Sequence, residues 1–187
     1  MAKTEVPDVI RAMVGPGSPV KKIEKGYAFD HPCQGEMPVA CSIVDIVYDP
    51  KKVEELPTLF DKIISAYHPQ IMAGSNDAFV YTGTVRAIIA KNGNNIVESS
   101  EAEYARYAIH RATEIGAVSE LIAYALHQAD ENRYAPAEFV LSKLVQDQTK
   151  DPKAYTGLAK IVRLRNTTAD LGKEEYAKWL DWKAQNI

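Results

Sequence analysis

From Glu98 to Arg165 apolar residues recur at three- and four-residue spacing in four runs separated by polar breaks, which predicts four consecutive helices in an antiparallel cluster. Ser100-Glu101-Ala102-Glu103 has the form of a capping box, and Ala105, Ala108, Ile109, Ala112 and Ile115 follow as one face, closed by Gly116. The second run starts near Ser119, with Leu121, Ile122, Tyr124, Ala125 and Leu126, and stops in Asp130-Glu131-Asn132. The third is predicted to open at Pro136 and to bury Ala137, Val140, Leu141, Leu144 and Val145. The fourth opens with Asp151-Pro152, a cap followed by proline in the first turn, and carries Tyr155, Leu158, Ala159 and Val162. A closing helix over 173–184 sets Tyr176, Trp179, Leu180 and Lys183 on one face, with Trp182 off it.

Upstream the pattern changes. Val39 to Tyr48 is β-branched and almost continuously apolar, which suits a strand buried on both faces, with Asp45 as its one charged interruption. A helix follows from Asp49-Pro50, is kinked or restarted at Pro57, continues through Leu59, Phe60, Ile63, Ile64 and Tyr67, and ends at His68-Pro69. Ile71-Met72-Ala73 then reads as a short returning strand, making a crossover unit. For residues 78–97 the preferred reading is a hairpin turning at Asn92-Gly93, because Phe79, Tyr81, Val85, Ala87 and Ile89 can share a strand face; a helix capped by Ser75-Asn76-Asp77 is the alternative. Residues 1–35 are loop-rich, with a short helix over 6–14, the breaker Gly15-Pro16-Gly17-Ser18-Pro19, and an edge strand near Tyr27-Ala28-Phe29.

The expected fold class is therefore α+β and helix-rich: a small N-terminal sheet with one crossover helix, followed by a cluster of four to five helices. An all-α fold is the alternative. The expected divisions are a 1–35 arm, a 36–97 α/β part and a 98–187 helical part, with 36–187 forming one domain.

Composition changes this picture little. The 187 residues are 46% hydrophobic and 25% charged, with a formal net charge of -3. That excludes a strongly basic field and disfavours general nucleic-acid binding. No apolar run reaches the roughly 18 residues needed to span a bilayer, and Met-Ala-Lys-Thr-Glu lacks the apolar core of an export signal, so no membrane partner and a cytoplasmic setting are expected.

The arrangement of charge is more informative. Acids dominate from Glu98 to Glu131, and bases, including Lys143, Lys160, Arg163 and Arg165, dominate from Asn132 to Arg165. Either the two halves pack together and their rims attract, or the acidic face of one copy meets the basic face of another.

Candidate chemistry is sparse. His31, Cys33 and Cys41 form the one metal-like cluster, and Cys33 beside His31 is the one candidate for nucleophilic catalysis. Their spacing lacks the second close ligand pair of a zinc site, so no cofactor is expected. His110 with Glu114, and Glu103 with Arg106 and His110, lie along one surface of the first helix of the cluster; the preferred reading is a solvated face with helical ion pairs, and a proton-relay or ligand strip between the first and second helices is the alternative. No phosphate loop, dinucleotide fingerprint, nucleophile elbow or metalloprotease motif is present.

The reading that follows is a non-catalytic structural or interaction subunit of a homo-oligomer or larger assembly. Its partner-binding residues would be Trp179, Trp182, Lys160, Arg163 and Arg165. The alternatives are a small cytoplasmic enzyme or metal protein using His31 and Cys33, and a nucleic-acid accessory protein using the basic 143–165 helices.

Overall fold

Seven helices, α1 to α7, run from Leu56 to Gln185 in the computed structural model, which describes the backbone of residues 20–23 and 26–29 and the chain from residue 56 to 187. Residues 60 to 187 are helical, without strands, as in the all-α alternative. Val20–Ile23 (β1) and Gly26–Phe29 (β2) pair antiparallel, Val20 opposite Phe29 and Ile23 opposite Gly26. The expected helix over 6–14, the strand over 38–48 with Asp45, and the helix start at Asp49-Pro50 lie outside the described residues.

Helix α1 spans Leu56–Met72. Pro57 stands in its first turn, where a missing N–H is tolerated. The helix does not end at His68-Pro69, and Ile71-Met72 is not a strand. Pro69 falls in the last turn, where it removes one internal bond only, and fully buried Ile71 anchors the turn beyond it. Gly74, at φ +71°, then ends the helix by donating to the Ile71 carbonyl at 3.0 Å.

Helix α2, Ala78–Asn92, replaces the expected hairpin. Every residue from Val80 to Ala90 is buried, so the helix has no polar face and leaves no helical period in the sequence. Its threonines tolerate that burial by bonding: Thr84 Oγ1 donates to the Val80 carbonyl at 2.8 Å, and Thr82 Oγ1 to Glu120 Oε2 at 3.2 Å. Asn92-Gly93 ends this helix instead of turning a hairpin. Gly93 has φ +54°, a conformation that a helix C-terminus and a hairpin turn both require. A 3₁₀ segment, Gly93–Glu98, follows in place of the returning strand and buries Ile96.

The remaining helices are α3 (Ala102–Glu114), α4 (Ser119–Asp130), α5 (Tyr134–Gln146), α6 (Pro152–Leu164) and α7 (Leu171–Gln185). The capping box at Ser100 does not form. The residue preceding α3 is Glu101, with no side-chain cap, because its carboxylate instead accepts from Lys91 Nζ and from Asn92 Nδ2 (3.1 Å). Helix α5 starts two residues before Pro136 and keeps the proline in its first turn. Asp151 caps α6 as expected, accepting from the Lys153 N–H at 2.9 Å, and Asp170 caps α7 through Gly172 at 2.8 Å.

One cluster of buried side chains runs from Phe60 to Leu180. Sequence neighbours pack on one another: α1 on α2, α2 on α3, α4 on α5, α5 on α6 and α6 on α7. Short connections favour this arrangement, because they leave adjacent helices antiparallel.

Lys91 ties α1, α2 and α3 together, 2.7 Å from Asp61 and paired with Glu101. Bonds to Asp61 and Glu101 raise the Lys91 ammonium above its usual range, and the Lys91 bond holds the Glu101 carboxyl below its own. The Glu101 contribution is thus present above the ordinary carboxylate range and fades as pH falls through the depressed value. The Lys91 contribution is present below the ordinary lysine range and fades as pH rises through the raised one. Glu101→Gln should therefore cost about 1 kcal/mol near neutrality, the upper end for partly exposed pairs, and nothing in strong acid. Urea melts at the two pH values check it.

Candidate functional site

Helices α3 and α5 face each other across a polar groove. On α3, Arg106 pairs with Glu103 and lies over the Phe139 ring of α5, 5.2 Å from its centroid. One turn on, His110 Nδ1 is 3.4 Å from Asp147 Oδ1, just past the end of α5, and Nε2 is 3.6 Å from Glu114 Oε1. Lys143 pairs with the same Asp147 oxygen. The strip at Glu103, Arg106, His110 and Glu114 is thus a largely solvated face with ion pairs along the helix, and where it meets another helix, at Arg106 and His110, that helix is α5 and not the next in sequence. Asp147 was not visible in advance, because spacing along one helix carries no record of the helix opposite.

The groove widens toward the 3₁₀ segment into a cavity of about 460 Å³ lined by Asn95, Val97, Arg106, Phe139, Ser142 and Arg165 among others. An imidazole between two carboxylates can relay a proton or take up a cation's hydrogen bonds. His110 is nonetheless 47% exposed. Water therefore competes for each of these contacts, and the pairs are worth a few tenths of a kcal/mol each.

The predicted basic residues are engaged within the chain. Lys160 on α6 reaches Asp130 of α4 at 3.1 Å, joining the acidic and basic halves. Arg163 bonds Asp181 at 2.7 Å and Glu174 at 3.4 Å, both on α7, and Arg165 pairs with Glu138 of α5. The acids Glu103 and Glu114 turn to Arg106 and Arg111 on their own helix. The charge division is satisfied largely by local pairs and by α7, which the sequence pattern alone did not bring to the basic face.

The aromatic residues of α7 do the opposite. Ala177 and Leu180 are buried and hold the helix on α6. Tyr176, Trp179 and Trp182 remain 43%, 45% and 58% exposed. Trp179 does not share the buried face of Leu180, and Trp182 is not set apart from it: both belong to the outer face. Tyr176 and Trp179 stack, with ring centroids 5.9 Å apart and planes at 12°.

A further polar feature lies in the core. Arg86 of α2 is fully buried, 5.2 Å above the Tyr124 ring of α4.

His31, Cys33 and Cys41 lie outside the described residues. Among the described residues no group of three His, Cys, Asp or Glu side chains is placed to hold a metal ion, and no helix is long and apolar enough to cross a membrane. No protein-family model, curated protein or solved structure matches this chain.

Proposed function

We propose that this chain is a non-catalytic interaction subunit that acts by associating with protein, in a homo-oligomer or a larger assembly. The observation that carries the reading is the outer face of α7, where two tryptophans and a tyrosine stand exposed on a helix fixed in the core by Ala177 and Leu180. Large aromatics presented on a rigid element are the side chains that dominate protein interfaces.

The electrostatics agree with a protein partner. Lys160, Arg163 and Arg165 are each paired with a carboxylate, so the basic 143–165 helices present a largely neutralised surface and not a track for phosphates. The alternative resting on His31 and Cys33 gains nothing from the helices. The polar groove of α3 and α5 is open to water, unlike the enclosed, mostly apolar pockets that bind small molecules.

Light scattering on the purified chain over a range of concentrations tests the reading. The expected mass is a multiple of 20.7 kDa. A single-chain mass at every concentration would remove self-association from the proposal.

A further inference from the structure

The outer face of α7 is symmetric about Trp179. Tyr176 and Trp182 lie three residues to either side of it, Glu175 and Lys183 four to either side, and Leu171 and Ile187 eight to either side. At 100° per residue, the helical members of this set fall within about 80° of Trp179 around the helix axis, while Leu180 lies about 100° and Ala177 about 160° from it, and Ile187 follows the helix end at Gln185. The apolar members are all exposed, Leu171 the most at 81%. The flanking charges are opposite in sign; Glu175 pairs with Lys178 of its own helix at 2.8 Å in an exposed contact, and the Lys183 ammonium has no ion-pair partner among the described residues.

From this symmetry we infer that the occupant of the face is a second copy of the same helix, packed antiparallel about a two-fold axis at Trp179; the inference rests on the reading of the chain as an interaction subunit. Only a two-fold contact brings a surface against itself, so that residue i meets residue j and j meets i. In this register Trp179 meets Trp179 of the second copy. Tyr176 stands level with Trp182 of that copy, and Glu175 level with Lys183. Two ion pairs then bracket an aromatic centre, an apolar middle with a charged rim. A covered aromatic side chain buries about 150–250 Å². At the observed exposures the five apolar residues supply a substantial part of the roughly 800 Å² per partner of a standard interface. An unrelated partner would place no such constraint on both directions of the helix.

A charge exchange tests the register. Glu175→Lys sets two lysines level with each other across the axis, and Lys183→Glu sets two glutamates. Each single variant, and Trp179→Ala, should weaken dimerisation at least tenfold by light scattering or sedimentation. The double variant Glu175→Lys with Lys183→Glu should recover most of the loss, because only an antiparallel two-fold restores both pairs. Circular dichroism melts confirm that each variant is folded.

A wild-type oligomer of unchanged mass in all the variants would overturn the α7 contact while leaving self-association standing. Single variants that weaken the dimer with no rescue in the double would overturn the antiparallel register. A wild-type monomer would overturn this inference and remove self-association from the proposed function, leaving association with other proteins as its remaining form; if Trp179→Ala then lowered the melting temperature, another part of the same chain would be what covers the stripe.

Discussion

Replacing Gly157 with leucine should unfold the helical body or leave it molten, while Gly157→Ala should change stability by no more than about 1 kcal/mol. Gly157 is buried in α6 at the point where α4 and α5 both press on it. A Cβ there would stand 2.6 Å from Leu126 Cδ2 and 3.2 Å from Leu141 Cδ1. Both are far ends of flexible side chains, so a single methyl group can be accommodated by rotation. Alanine also gains close to 1 kcal/mol in helix propensity, which offsets the crowding.

A leucine has no such escape. Its branch must displace α6 from α4 and α5 together, and overpacking of a dense core commonly costs 1–3 kcal/mol and sometimes more. Helix α7 rests mainly on α6 and would be carried away with it. The series Gly, Ala, Leu, followed by urea melts and near-ultraviolet circular dichroism, should therefore step sharply between the last two. A gentle slope across all three would show that the contact with α4 and α5 is loose.

The legible parts of this fold are the helices with one wet face. In α3, α5 and α6 the buried residues are largely those the spacing picked out, because a half-exposed helix must alternate at its own period. Asp151-Pro152 gave the start of α6 for a local reason, a cap followed by a tolerated proline. Helix α2 was illegible because being buried all round erases the alternation, and threonines that bond within the helix then mimic the polar face of a strand.

Ser100 failed as a cap for the opposite reason: Glu101 found tertiary partners in Lys91 and Asn92, which no local rule contains. The same distinction holds for the candidate sites. His110 and Glu114 are one turn apart on one helix and could be paired from spacing, whereas Asp147 joins them only through packing. On α7 the spacing groups Trp179 with Leu180 and sets Trp182 apart. Adjacent residues lie 100° apart, which is enough to turn Leu180 inward and leave Trp179 at 45% exposure.

Arg86→Met should stabilise the protein by about 1–3 kcal/mol, a rise in melting temperature of roughly 2–4 °C per kcal/mol for a chain of this size. The guanidinium is fully enclosed, and among the described residues its hydrogen bond is a long one from Nη2 to the Glu120 carbonyl, 3.5 Å. Nε and Nη1 are buried with no hydrogen-bond partner among the described residues, as is the Tyr124 hydroxyl beside them. Burial lowers the Arg86 pKa, yet an arginine starts so high that the side chain stays cationic, and the protein carries the charge at any ordinary pH.

The Tyr124 ring offers a cation–π contact worth about 2 kcal/mol when desolvated, less than the several kcal/mol of an incompletely bonded buried ion. Methionine keeps the length and flexibility of the arginine stem and removes the charge. Arg86→Ala should instead destabilise by about 2–5 kcal/mol, because it opens a cavity between α2 and α4. Tyr124→Phe should gain about 1 kcal/mol by deleting an unpaired hydroxyl. Thermal melts of the three variants separate charge from volume. If methionine proves as harmful as alanine, the attraction of the Glu120 carboxylate for the guanidinium outweighs the cost of burying it.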